Sequence, residues 1–453
     1  MGIVQAEGFD LNTCVEYLKE KGRLRLVEEE VDPRYQLAAL AVKFEGLEPV
    51  LFTRVKSFSY PVLAGLYWNR DILAEIFGVP KLTLPHLIRE TVLKWQSSPV
   101  DPTVVDSGPA NQVEMHPPNL GILPVPTHFP EDGGPYFLSS VVIAKDPDTG
   151  ARNASVNRCM VSGPSRLTML MDNGRHLRDY YERSRSRGEA LEITINNGVD
   201  PTVYLASVVP PSSAPLSMDE LGIASGLLGR PLQLLRSKTV NVEGVANSQF
   251  IVEGRILPDT MEPEGPCAEV TGYYAEREER WVVEVSAITA RKEAVFQTLL
   301  PGKEVYNSVG LVGEANVCAL LQAQIPEVKN VHFPHGGCGF YQAVVQLEKR
   351  VEGSPKNAIM AAFAAFPSLR IVTAVDEDVN IYDPEDVAWA VSTRFDPDKD
   401  TILVKDARSH ELNPMSKGGT GSKMGIDATA PFPRPNRFKR ALTADLKGKN
   451  TLL

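Results

Sequence analysis

Glu264-Gly265-Pro266-Cys267-Ala268-Glu269 places two carboxylates at the ends of a stretch too tightly turned for a simple helix or strand. Gly and Pro fix a backbone turn, so both acids can point into one space, where each raises the other's affinity for a proton or a cation. Proton-transfer enzymes use such pairs. The competing reading is a solvated acidic loop, because charged loop residues are mostly exposed. Arg158 lies mid-strand between Asn157 and Cys159. An unpaired cation is costly to bury there, so Arg158 is either exposed or paired with acids such as Glu264 and Glu269.

Other residues with chemical potential each carry a plain alternative. Lys356 falls in the first turn after Ser354-Pro355, where free N–H groups and the helix dipole favour an anion such as phosphate; the alternative is a solvated surface lysine. Glu220 closes Ser217-Met218-Asp219-Glu220, a capping box. His176, beside Arg175, is more often structural than a ligand when it stands alone. Asp376-Glu377-Asp378-Val379-Asn380 begins like a calcium loop, but Ile381 replaces the required Gly and Val387 the required Glu. Gly418-Gly419-Thr420-Gly421-Ser422-Lys423 lacks the Gly-Lys-Ser/Thr order of a nucleotide P-loop and reads as a flexible segment that could touch an anion or a neighbouring subunit.

The elements that must position these residues follow from periodicity. Leu11, Val15 and Leu18 recur at helical spacing up to Gly22, and Leu24 and Leu26 begin an extended segment, so the chain opens with an α/β region. A helix spans Leu84 to Trp95, and Pro99 to Pro135 is a long, Pro-rich connection. The middle is β-rich. Phe137–Ala144 and Arg152–Val161 form a hairpin about the turn Asp146-Pro147-Asp148-Thr149-Gly150. Further strands are expected over Glu192–Asn196, Val203–Val209, Phe250–Ile256 and Trp281–Thr289, which favours a barrel or sandwich. Helices interrupt them around His176–Arg183 and Met218–Leu228. The last region alternates strand Tyr341–Leu347, helix Lys356–Phe366, strand Ile371–Val375, helix Glu385–Arg394 and strand Ile402–Lys405, with Ser354-Pro355 and Asp383-Pro384 as helix starts. The tail after Pro431 reads as an extended arm or a short final helix. Domains are expected at 1–110, 111–310 and 311–453.

Composition narrows the class. A chain of 453 residues with ordinary apolar and charged content can bury a sizeable core in about three domains. Its net charge of −10, without a basic run, argues against nucleic acid as a partner. No apolar stretch reaches membrane-spanning length and Met1 to Asp10 lacks signal-peptide character, which points to a cytoplasmic protein. The five cysteines are widely spaced without a Cys-x-x-Cys pair, which argues against a disulfide framework or zinc cage.

Taken in order, these residues resemble the UbiD family of prenylated-flavin-dependent decarboxylases. The motifs are Asn153-x-x-x-x-Arg158, His176, Glu220, Phe250-Ile251-Val252-Glu253-Gly254, Pro263-Glu264-Gly265-Pro266-x-x-Glu269 with Gly272-Tyr273-Tyr274, and Lys356. Later segments fit as well: Asp376 to Asn380, Trp389 to Arg394, and Ser422 to Thr429. The likeness covers most of the chain and is weakest over the first hundred or so residues; Asn157 departs from the aromatic or small residue common in relatives.

The resemblance implies a mixed α+β and α/β multidomain fold, in which a central split β-barrel like that of flavin reductases is flanked by an N-terminal α/β domain and a C-terminal α/β oligomerisation domain. It implies prenylated FMN, a divalent ion (Mn²⁺ or Mg²⁺) and K⁺ as cofactors. The metal positions fall on Asn153, His176 and Glu220, and the cofactor-binding positions on Asn153, Arg158, Arg175, His176 and Lys356. The catalytic set is Arg158, Glu264 and Glu269. Arg158 would orient the substrate carboxylate and hold the acids in register, Glu269 would be the acid, and the cofactor would supply the electron sink. The implied activity is reversible, non-oxidative decarboxylation of an α,β-unsaturated or (hetero)aromatic acid. The partners would be a flavin prenyltransferase that supplies the cofactor and further copies of the chain, as a homodimer or homohexamer. Two rivals are a non-catalytic scaffold subunit of a carboxylase complex, disfavoured by three ionisable groups at one site, and a plain flavin reductase, which leaves the acid pair and metal set unexplained.

Overall fold

The computed structural model describes residues 2–214 and 218–441. It divides into two compact units, residues 1–308 and 309–453. No helix among the described residues is long and apolar enough to cross a membrane.

The first unit opens with the expected helix, Leu11–Glu20, which buries Leu11, Cys14, Val15 and Leu18. Asp10 starts it: its side chain accepts from Thr13 N–H while the Thr13 hydroxyl accepts from Asp10 N–H, so two otherwise orphaned donors are satisfied reciprocally. Strands Arg25–Val27, Val50–Phe52 and Val62–Ala64 then form a small sheet whose fourth strand is Phe296–Gln297, from far along the chain. The helix expected at Leu84 to Trp95 runs from Leu84 to Ser97.

At the centre of this unit is a nine-stranded sheet dominated by two long antiparallel strands, Phe250–Glu264 and Glu278–Ala290. The predicted hairpin contributes to it in an unexpected way. Each arm is broken: Tyr136–Phe137 is followed by Val141–Lys145, and Arg152–Val156 by Cys159–Gly163. The distal halves, Val141–Lys145 and Arg152–Val156, pair with each other at one end of the sheet, while Tyr136–Phe137 and Cys159–Gly163 pair at the other. Six strand spacings separate Arg152–Val156 from Cys159–Gly163 along the sheet, roughly 29 Å if it were flat. Only Asn157 and Arg158 connect them, and two linking residues span at most about 11 Å. The sheet must therefore curl until its edges nearly meet. Arg158, expected mid-strand, instead occupies the split. The core inside the curl is built from inward residues such as Val142, Ile193, Ile195, Phe250, Val252, Val283 and Ile288.

Two expectations fail here. Val203–Val209 is not a strand; Pro201–Ala206 is a helix, because Asp200 accepts from Thr202 N–H and Pro201 pre-sets the first turn. The helix placed from Met218 begins at Leu221.

The second unit carries a five-stranded sheet in the order Val328–His332, Gln342–Leu347, Ile371–Asp376, Thr420–Ala428, Thr401–Arg408. The middle three strands are parallel, and helices Ser354–Ala365 and Pro384–Arg394 connect or cover them. The strand near Ile402 is an antiparallel edge, as is Val328–His332 on the other side. The parallel place is taken by Thr420–Ala428, part of which reads from sequence as a flexible glycine segment. Gly418 and Gly419, with φ of 57° and 73°, only turn the chain before that strand. Asp383 caps its helix as expected, accepting from Glu385 N–H, whereas Ser354 is inside its helix and Gly353, at φ 87°, holds the cap position. The tail contains a short helical turn at Asn436–Phe438.

The calcium-like stretch has a structural use. Arg394, buried, donates to Asp376 at 2.6 Å and to both oxygens of Asp378 at 2.9 and 2.8 Å. Removing one member of such a buried set strands the others, so Arg394→Ala should destabilise the full chain by about 3–5 kcal/mol in urea unfolding.

Candidate functional site

The split in the sheet gathers one cluster. The Arg158 guanidinium donates through Nη2 to Glu264 Oε2 at 2.9 Å and through Nη1 to Glu269 Oε1. Glu264 ends the long strand Phe250–Glu264 and is 1% exposed. Gly265 follows at φ +98°, where a side chain would be strained and its Cβ would meet Glu276 O at 2.9 Å; the Gly265-Pro266 bond is cis. Cys267–Ala268 then pairs with Tyr274–Ala275, and Glu269 sits in the connecting loop, closed by Glu269 N–H to Tyr273 O and Gly272 N–H to Glu269 O, both 2.9 Å. The turn thus brings both acids onto one guanidinium, as the sequence pattern anticipates, and the solvated-loop alternative is excluded.

Electrostatics separates the members. Burial pushes the Glu269 carboxyl above its usual range, against the pull of Arg158, with Asp172 and Glu264 adding to the rise. Burial works against the charge on Arg158, but the nearby carboxylates of Glu269 and Glu264 outweigh it and hold its proton more tightly than usual. Burial also pushes the Cys267 thiol up. The arrangement is a permanent cation between two acids, one of which burial makes hold its proton more tightly than usual.

A second cluster forms on the same hairpin arm. Asn153 Nδ2 donates to Glu220 Oε1 at 2.9 Å, His176 Nδ1 lies 3.1 Å from that oxygen, and Ala154 N–H donates to Glu220 Oε2 at 3.3 Å. Asn153 is in strand Arg152–Val156, His176 is the first residue of helix His176–Ser186, and Glu220 precedes helix Leu221–Leu228. The capping box expected over Ser217 to Glu220 rests on Ser217, which lies outside the described residues; the helix itself starts at Leu221, where Glu220 holds the cap position without a side-chain cap bond and Asp219 accepts from Leu221 N–H at 3.0 Å. Asn153 Oδ1 is buried without a hydrogen-bond partner among the described residues. An orphaned amide oxygen beside a carboxylate and an imidazole is a donor set suited to Mn²⁺ or Mg²⁺. No group of three or more His, Cys, Asp or Glu among the described residues could hold a metal, so this set depends on its amide.

Arg175 is exposed at the cap position of the His176 helix and makes no side-chain cap bond. Lys356 belongs to the second unit, in the first turn of helix Ser354–Ala365, where Nζ donates to Lys399 O at 2.5 Å and lies 3.9 Å from Asp400.

Sequence reasoning missed several neighbours. Arg152 bridges Asp219 at 3.0 Å and Glu243 at 2.9 Å, and Lys145 joins Glu243 at 2.8 Å, which ties the start of Glu220's helix to the strand that carries Asn153. Burial pushes Asp219 up to about 6. Asp132 accepts from Ala268 N–H at 2.9 Å, and Gly133 N–H donates to Pro266 O at 2.7 Å. The signal available for these was Asp132-Gly133-Gly134 between prolines, inside a stretch without periodicity.

Comparison with known proteins places this geometry. The 3-octaprenyl-4-hydroxybenzoate carboxy-lyase family models match over residues 15–92 (N-terminal domain), 103–304 (Rift-related domain) and 307–428 (C-terminal domain). The uncharacterized protein of the cooM 5′ region of Rhodospirillum rubrum is 48% identical, covering 96% of this chain and 94% of its own. Anhydromevalonate phosphate decarboxylase of Methanothermobacter thermautotrophicus is 35% identical, covering 92% and 96%. The structure of the UbiD-class enzyme HmfF from Pelotomaculum thermopropionicum in complex with FMN superposes with a TM-score of 0.92 at 39% identity, covering 97% of this chain and 98% of that one. An evolved dimeric form of HmfF, in complex with prFMN, gives 0.87 at 37% over the same shares.

Removing the cation tests the electrostatics. The native state holds the Glu269 proton more tightly than the unfolded chain does, so this group's stabilising contribution is full below the unfolded carboxylate pKa and is lost as pH rises through the native value. Arg158 opposes that loss. Arg158→Met should therefore unfold near the parent's urea midpoint at about pH 4 and fall behind by about 3–5 kcal/mol at about pH 8.

Proposed function

The chain belongs to the UbiD family of carboxy-lyases, and from that premise we propose that it is a non-oxidative, reversible decarboxylase of an α,β-unsaturated or (hetero)aromatic carboxylic acid, working with prenylated FMN and a divalent metal. The observation that carries this reading is Arg158 buried between Glu264 and Glu269 at the split of the curled sheet, with Glu269 inclined to keep a proton. FMN and prFMN in the HmfF complexes support the cofactor, and the name of the Methanothermobacter relative supports the reaction. The dimeric HmfF form supports a homo-oligomer, dimer or hexamer. A separate flavin prenyltransferase would supply the cofactor.

The residues present fit the implied groups. Asn153 Oδ1, Glu220 and His176 would hold Mn²⁺ or Mg²⁺ against the cofactor phosphate, offsetting its charge inside the sheet, with Arg175 as a further phosphate contact. When bound, prenylated FMN supplies the electron sink that takes up the bonding pair as CO₂ departs. Arg158 is the cation that bonds both acids, and its planar fork would receive the substrate carboxylate and hold it in register with them. Glu264, the more deeply buried acid, would keep Arg158 in place. Glu269 would deliver its proton to the carbon that has lost CO₂ and take one up in the reverse direction. Carboxylate plus proton gives the shorter product plus CO₂, so the reaction balances without an oxidant.

The direct test is protein co-expressed with a flavin prenyltransferase. Its absorbance and cofactor mass should report prenylated FMN, and a panel of cinnamic, benzoic, furoic, pyrrole and polycyclic acids should include a substrate; unmodified FMN with no acid consumed would sink the proposal.

Two variants separate the roles. Glu269→Gln should bind cofactor normally, abolish turnover and suppress exchange of the product's vinylic or aryl hydrogen with D₂O; exchange at the parent rate in Glu269→Gln but not in Glu264→Gln would reverse their assignments. His176→Ala should emerge from desalting largely flavin-free and without manganese, and a full complement of both would remove His176 from the metal set.

A further inference from the structure

The Glu269 loop is held by very little of its own. Its hairpin pairs only Cys267 with Ala275 and Ala268 with Tyr274, and a ladder that short is not stable by itself in water. Its position must come from elsewhere, and two side chains grip the backbone immediately on either side of the acid. Asp132 accepts from Ala268 N–H at 2.9 Å, and its other oxygen accepts from Phe129 N–H at 2.8 Å, which makes the carboxylate a bridge between two loops. The Tyr306 hydroxyl donates to Val270 O at 3.1 Å. Residues 268 and 270 are thus fixed by side chains from two distant points of the chain, one before strand Tyr136–Phe137 and one after strand Glu278–Ala290.

We propose that Asp132 and Tyr306 are positioning residues that set where Glu269 presents its proton. The proposal rests on the reading of Glu269 as the acid. Arg158 fixes one oxygen of Glu269, but a guanidinium can follow a carboxylate that drifts; the backbone clamps decide how deeply the group is set. The titratable groups facing Glu269 are Arg158, Glu264 and Asp172, with Cys267 on its own loop and Asp132 beside that thiol. A loosened loop admits water, which weakens the burial that holds the proton and moves the carboxyl back toward its ordinary range. Activity that needs the protonated acid then fades at lower pH.

The experiment uses the prenylated-FMN holoenzyme as parent, Asp132→Ala and Tyr306→Phe. Infrared difference spectra, each taken against the same protein carrying Glu269→Gln, give the pH at which Glu269 loses its proton without any substrate present. In the parent this pH should lie above the ordinary carboxylate range, and in both variants it should fall toward it while flavin content stays at the parental level. With the best acid of the panel, kcat should fall roughly ten- to hundredfold with KM little changed, as misplacement of a reacting group predicts. Parental titration and kcat in both variants, with Glu269→Gln inactive, would overturn the positioning role alone. Full turnover by Glu269→Gln would overturn the acid reading and the positioning role together. If Asp132→Ala fails to fold, Tyr306→Phe, which removes a single hydroxyl, decides the matter by the same two measurements.

Discussion

A guanidinium taken out of water is the constraint on which the first unit depends. Arg158 and Glu264 are almost wholly buried, and the desolvation of such charges is repaid only where geometry and hydrogen bonding are good. Arg158 meets that condition at its two terminal nitrogens, which the two carboxylates reach, while its Nε and Glu264 Oε1 are buried without a hydrogen-bond partner among the described residues. Its position in the split requires the sheet to curl, and its partners require the strand Phe250–Glu264 to end at the same place. A long strand, a glycine turn and a short hairpin are the means by which two acids more than a hundred residues downstream arrive at one cation.

The two clusters of the site are electrostatic complements. Around Arg158 the chain supplies the cation and surrounds it with acids. Around Glu220 it supplies an acid, an imidazole and an amide oxygen without a hydrogen-bond partner among the described residues. Both are mounted on the arm Arg152–Gly163, whose two halves belong to opposite ends of the curled sheet. On the proposed reading, one place accepts a metal and the phosphate it neutralises while the other handles the substrate's carboxylate and a proton. Their shared mounting fixes one relative to the other without a flexible link.

Buried charge is used differently in the second unit. Asp376 and Asp378 surround Arg394, and the Trp389 ring lies 4.8 Å from the same guanidinium. Each group has a fixed partner, and the result is a tie between a strand end and a helix end. Burial lifts the Asp376 carboxyl there as it lifts Glu269, while Arg394 and Arg434 hold Asp378 low, so a raised carboxyl marks a structural tie in one unit and accompanies a turned acid pair in the other.

The sequence by itself determined what is local. Helical spacing placed Leu11–Glu20 and Leu84–Ser97, Asp383-Pro384 marked a helix start, and Glu264 to Glu269 announced a turned pair of acids. Ordered motifs carried the family. Where local chemistry was ambiguous, the tertiary structure decided. Val203 to Ala206 has strand-forming residues, but Asp200-Pro201 starts a helix and packing keeps it there. Glu220 has the spacing of a cap, and only the fold shows its carboxylate meeting Asn153 and His176, because a buried carboxylate goes to the donors around it. The break at Asn157-Arg158 has no signature in one strand's alternation, since it arises only when a sheet closes on itself and one arm must serve both edges. Asp132 was silent for the same reason: its partner is a backbone N–H at Ala268, and backbone donors look alike in every sequence.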